Sequence, residues 1–148
     1  LHDVEHIALV KGDIDRSAPV LVRVQVENTL ADAFGGSKPA SRAQIQNSLA
    51  ELSAHGSGVL LYLRRATLHE CPLFQASSRL EVEGAQLATM SIREYGIGAQ
   101  ILRELGIERI ELLSSTRRTL VGLESFGITV TSQRPIPDRA VQLTEASP

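Results

Sequence analysis

The 148-residue chain is poor in several things that would have signalled a function. Its single cysteine, Cys71, excludes an internal disulfide framework and fits a reducing compartment. Tryptophan is absent and aromatics make up only 3%, too few for the stacking platforms that hold single-stranded bases. The formal net charge of -2 offers no basic surface for nucleic acid or anionic lipid. The longest apolar run, Val59 to Leu63, is far too short to cross a bilayer, and no signal-peptide pattern is present. Hydrophobic residues at 43% and charged residues at 22% are ordinary for a globular domain able to bury one core. The expectation is one soluble, cytoplasmic domain with no nucleic-acid or membrane partner. The chain opens on Leu1 rather than methionine, which suggests a piece of a longer protein.

"VEHIALV" and "PVLVRVQVE" read as strands. In the second, Val20, Val22, Val24 and Val26 alternate with Leu21, Arg23, Gln25 and Glu27. The polar set either faces solvent or lines a polar site. Gly35, Gly36 and Pro39 break the following loop. A helix then starts at Ser41, where Ser41 and Gln44 have capping-box spacing and Ile45, Leu49 and Leu52 form its apolar stripe. His55-Gly56 ends it. "GVLLYLRR" has the continuous apolar run of a strand buried on both faces. Residues 66–89 hold no sustained period and read as loop with a short helix at most.

A regular rhythm returns beyond that loop: helix 92–105, strand 108–113, helix 117–126 and strand 128–132. Helices alternating with strands predict an α/β domain whose mixed, mostly parallel sheet is flanked by helices. Residues 1–136 form that domain, and 137–148 form a flexible tail. In the helix opening at residue 92, Tyr95, Ile97, Ala99, Ile101, Leu102 and Leu105 share an apolar arc. Gly98 falls inside that arc, where a missing side chain permits close packing.

Three short stretches carry groups suited to chemistry. In "SIRE", Ser91 and Glu94 have capping-box spacing, so Arg93 marks either a helix start or the edge of a site. "SSTRR", Ser114 to Arg118, combines hydroxyls, a helix start and two arginines; it is a phosphate site or an N-cap with solvated arginines. "HEC" (His69, Glu70, Cys71) has metal-capable groups but neither the spacing nor the fourth ligand of a zinc site.

"HIALVKGDI", "VLVRVQVE", "GVLLYLRR", "REYGIGAQILRELGI" and "LVGLESFGITVTSQRPI" together resemble GTP cyclohydrolase II in order and spacing. The resemblance implies an enzyme fold that opens the guanine ring of GTP with zinc and magnesium, at the start of riboflavin synthesis. It also implies a homodimer and a fusion behind 3,4-dihydroxy-2-butanone 4-phosphate synthase. By the same resemblance Arg93 stands at the proposed nucleophile, Ser91 at the catalytic aspartate and Arg23 beside the triphosphate. Gln44 and Ser114 belong to the ligand-binding set, with Ser114 in place of a threonine and Thr119 in place of a nucleotide-binding lysine; Arg117 and Arg118 join it from the phosphate reading of "SSTRR".

The departures concern the chemistry. The three zinc cysteines of the family correspond to Asn28, Pro39 and Ser41. Neutral amide, proline and hydroxyl are poor substitutes for thiolates. "RATLHECP" replaces a nucleotide-contacting loop, and the region after it is shorter. A serine hydroxyl at position 91 is no general base. The reading is therefore a family domain without zinc, cofactor or GTP hydrolysis, kept for structure, dimerisation or regulation. A phosphate- or GTP-binding module without turnover is the alternative.

Overall fold

The computed structural model describes residues 4–28, 32–33, 41–65, 90–114 and 117–138, with the side chains of 117–119 outside that description. Residues 66–89, including His69, Glu70 and Cys71, also lie outside it, as do Pro39 and the tail from 139. Five strands and three helices follow one another among the described residues: β1 (Ile7–Lys11), β2 (Val20–Val26), α1 (Ser41–His55), β3 (Gly58–Leu63), α2 (Ile92–Glu104), β4 (Arg109–Leu113), α3 (Arg117–Glu124) and β5 (Thr129–Arg134).

The strands form one sheet in the order β1-β3-β2-β4-β5. β1 runs antiparallel to β3, and the other pairings are parallel, as the alternation of helices and strands predicts. β1 is the edge. Its Ile7, Leu9 and Val10 are each about half exposed, at 46%, 47% and 48%.

The alternation in β2 separates two faces of the sheet. Val20, Val22, Val24 and Val26 join Val59, Leu61 and Leu63 of β3 and Ile110 and Leu112 of β4 in the main core. α2 covers this face with Tyr95, Ala99 and Leu102, and α3 adds Leu123. Ile97, Ile101 and Leu105 flank them, so the arc read from the sequence is the buried one. The opposite face carries a smaller apolar cluster of Leu21, Leu60, Leu113 and Leu52, with Tyr62 and Ile136 against it.

α1 departs from its expected amphipathic form. Of Ile45, Leu49 and Leu52 only Leu52 is buried, and Leu49 is 39% exposed. The helix buries Ser41, Asn47 and Ser48 instead. The physical reason lies beneath it, because β2 presents Arg23 and Gln25 alongside Leu21 on that face and both polar side chains are buried. Ser41 meets these groups directly, accepting from Gln25, and the buried Ser48 hydroxyl is satisfied by the Gln44 carbonyl of its own helix. Of the two readings of the β2 polar face, the structure supports the polar site.

Gly56, with φ +92°, follows His55 as the left-handed residue that ends α1. The expectation for Gly98 is corrected. A Cβ there would meet Leu63, Leu123 and Val24 at 3.8–3.9 Å, ordinary van der Waals distance. The close approach is at Gly122 in α3, where a Cβ would sit 2.5 Å from the Tyr95 ring.

Candidate functional site

The two central strands part company near their carboxyl ends. β2 pairs with β4 from Val20↔Ile110 to Val22↔Leu112. β2 then continues against β3 as far as Val26↔Leu63, and β4 against β5 as far as Leu113↔Arg134. The connection from β2 passes through α1 to β3 on one side, and the connection from β4 passes through α3 to β5 on the other. This is a topological switch point, the place where open α/β sheets form a crevice for ligands.

Arg23 sits where the strands diverge and is 8% exposed. One terminal nitrogen donates across the gap to the Leu113 carbonyl at 3.3 Å, and the other donates to Gln25 Oε1 at 2.6 Å. Its Nε is buried without a hydrogen-bond partner. Burial pulls the guanidinium down to about 10, although it stays charged at neutral pH.

From Gln25 the network runs on to α1. The Gln25 amide nitrogen donates to Ser41 Oγ at 3.1 Å, and the Ser41 hydroxyl donates to one carboxylate oxygen of Asp32. The second Asp32 oxygen accepts the backbone N–H of Asn28 at 2.9 Å and the hydroxyl of Tyr62. Burial, then the hydrogen bond and charge of Asp32 and the charge of Glu27, push the Tyr62 phenol above its usual range, with Arg64 opposing them. The expected Ser41–Gln44 capping box gives way to this network, because Ser41 is already the first helical residue and its hydroxyl is engaged elsewhere. Gln44 is half-buried, and its carbonyl accepts the Ser48 hydroxyl at 2.6 Å.

A second polar group lies at the ends of β2 and β3. The Arg65 backbone N–H donates to Glu27 at 2.9 Å, and the Arg65 side chain reaches Glu94 of α2 at 3.5 Å. His6 Nδ1 accepts the Arg64 N–H at 3.1 Å. Burial, then the nearby charges of Arg64 and Arg93, hold His6 below its usual value of 6.5.

The "SIRE" segment does form a capping box. Ser91 Oγ accepts the Glu94 N–H at 3.2 Å, and Glu94 Oε2 accepts the Ser91 N–H at 2.6 Å. Ser91 and Arg93 are both exposed on the first turn of α2. Ser114 is 3% exposed at the end of β4, and its backbone bonds to Arg134 and Gln133. Arg117 and Arg118 begin α3, with their side chains outside the described set.

The structure thus unites Arg23 and Ser41 with Asn28, and it places Arg93 near His6. Sequence reasoning missed Asp32 and Tyr62. A carboxylate four residues beyond Asn28, in a loop leading to a helix, was the available signal for the first. For the second it was Tyr62 sharing register with Gln25 across β2 and β3.

The residues at the three family ligand positions do not fit a zinc ion. Asn28 and Ser41 offer only a neutral amide and a hydroxyl, and the Ser41 hydroxyl is already donated to Asp32. Pro39, outside the described residues, has no side-chain donor at all.

These features define an α/β domain with a buried polar network at a switch point. Comparison with known proteins supplies its family: the profile of GTP cyclohydrolase II matches residues 1–135. The riboflavin biosynthesis protein RibBA of Bacillus mycoides is 37% identical over 145 residues, covering 89% of this chain and 36% of that protein. RibBA of Bacillus cereus is 36% identical over 149 residues, covering 92% and 36%. The chain therefore belongs to the GTP cyclohydrolase II family, and it spans about a third (36%) of the length of these relatives.

Proposed function

We propose that this is a GTP cyclohydrolase II-type domain of a riboflavin-biosynthesis protein that no longer binds zinc or opens the guanine ring. It serves as a structural, dimerising or regulatory partner to a 3,4-dihydroxy-2-butanone 4-phosphate synthase domain in the same cytoplasmic chain. The observation that carries this reading is the Ser41 hydroxyl, engaged with Gln25 and Asp32 at a position where the family resemblance calls for a thiolate. Ser91 adds to it, since its hydroxyl caps α2 and supplies no base. The half-exposed Ile7, Leu9 and Val10 on the β1 edge supply apolar surface for a homodimer. Metal analysis after expression in zinc-supplemented medium, with a formate-release assay on GTP, tests the reading. Substoichiometric zinc and no formate are expected.

A second reading, phosphate or GTP binding without turnover, is favoured by the buried Arg23 Nε at the mouth of the switch point. Arg93, Gln44, Ser114, Arg117 and Arg118 are its further candidates. Calorimetry with GTP tests it. Heat from the parent chain that disappears in Arg23→Met, which keeps much of the volume, supports binding at the crevice, and no heat from the parent chain removes this reading.

A further inference from the structure

The hydrogen bonds between Arg23 and Asp32 all run in one direction. Gln25 Oε1 accepts from the guanidinium, so its amide nitrogen faces the other way and donates to Ser41. Ser41 Oγ accepts that bond, which leaves the hydroxyl hydrogen for Asp32. A buried cation and a carboxylate on the α1 side are thereby joined through two neutral groups, each oriented by its neighbours. Such chains polarise along their length, and a charge at each end favours one orientation throughout.

We propose that Asp32 is a positioning residue for Arg23. Through Ser41 and Gln25 it fixes the guanidinium at the divergence of β2 and β4, tying the segment before α1 to that helix and to β2 with a fixed carboxylate. The functional consequence rests on the reading of Arg23 as an anion-binding group, but the positioning itself does not.

The Asp32 carboxylate meets three donors: the Ser41 hydroxyl, the Tyr62 hydroxyl and the Asn28 N–H. Only Ser41 leads to Arg23. Tyr62 comes from β3 and holds the carboxylate from the other side, outside the relay. This asymmetry separates a directed relay from general tightness of the site.

Solvent exchange of the Arg23 guanidinium protons, followed by nitrogen-15 NMR on the full chain, tests the proposal. Ser41→Ala should accelerate exchange roughly tenfold, the factor given by about 1.4 kcal/mol, near the worth of one hydrogen bond to a charged group. Asp32→Asn should accelerate it by a smaller factor, because the amide oxygen still accepts from Ser41 without the charge. Ser41→Thr, which restores a hydroxyl, should return the rate towards the parent, and Tyr62→Phe should leave it unchanged. Parental exchange in both Ser41→Ala and Asp32→Asn, with native backbone spectra, would overturn the proposal. Equal acceleration in Tyr62→Phe and Ser41→Ala would overturn it too, and does not require Asp32→Asn to fold. GTP calorimetry on the parent chain tests the anion-binding reading separately, because the exchange measurement involves no ligand.

Discussion

The two faces of the sheet are stabilised by different physics. On the α2–α3 face, valines and leucines pack against a helix with a broad apolar arc, and each contributes by leaving water. On the α1 face, one small apolar cluster borders a buried arginine, an amide, a hydroxyl and a carboxylate that hold one another. The first face tolerates exchange of one hydrophobic side chain for another of similar volume. The second depends on partners, and removing one leaves others unsatisfied. The apolar face therefore answers to volume and the polar face to pairing.

The largest effect should come from breaking the apolar face. Leu112→Ala removes a fully buried side chain at the centre of the sheet and should cost about 3–4 kcal/mol in denaturant unfolding. Asp32→Ala should cost about 2 kcal/mol by the same measurement, because three donors lose their acceptor at a partly buried site. Arg23 contrasts with both: Arg23→Met should be close to neutral for stability, since it also removes the cost of burying a charge.

Two helical glycines on the apolar face differ in the room they leave. Gly122→Ala should destabilise by about 1–3 kcal/mol, because the new methyl displaces the Tyr95 ring. Gly98→Ala should stabilise by about 0.5–1 kcal/mol, since a methyl fits at ordinary contact distance in a helix interior. Thermal unfolding of the pair reads the opposite signs directly.

The smallest effect is the response to pH at the edge of the polar region. His6 titrates below 6.5 in the folded chain, chiefly from burial, so the unfolded chain takes up a proton first as pH falls. Its contribution to stability therefore declines from pH 6.5 downward until folded His6 also protonates. His6→Gln should flatten that part of the stability–pH curve.

The apolar face was legible in the sequence because burial leaves periodicity, as in the alternating valines of β2 and the arc from Tyr95 to Leu105. The polar face was not. Its residues come from β2, the segment between β2 and α1, α1 itself and β3, and hydrogen-bond partners across such distances leave no period. Ser41 shows the difficulty, since its spacing to Gln44 fits a cap while its actual partners are Asp32 and Gln25. Gly98 and Gly122 show it again, because which of two helical glycines meets an aromatic ring depends on how α2 and α3 pack.

We propose that Ser41, at a position expected to hold zinc, serves a hydrogen-bonded network in place of metal chemistry. Zinc quantified in protein expressed with excess zinc, together with formate release from GTP on the same sample, tests it most directly. Well under one zinc per chain and no formate above the protein-free rate are expected; one zinc per chain with GTP-dependent formate would show that the metal chemistry is retained.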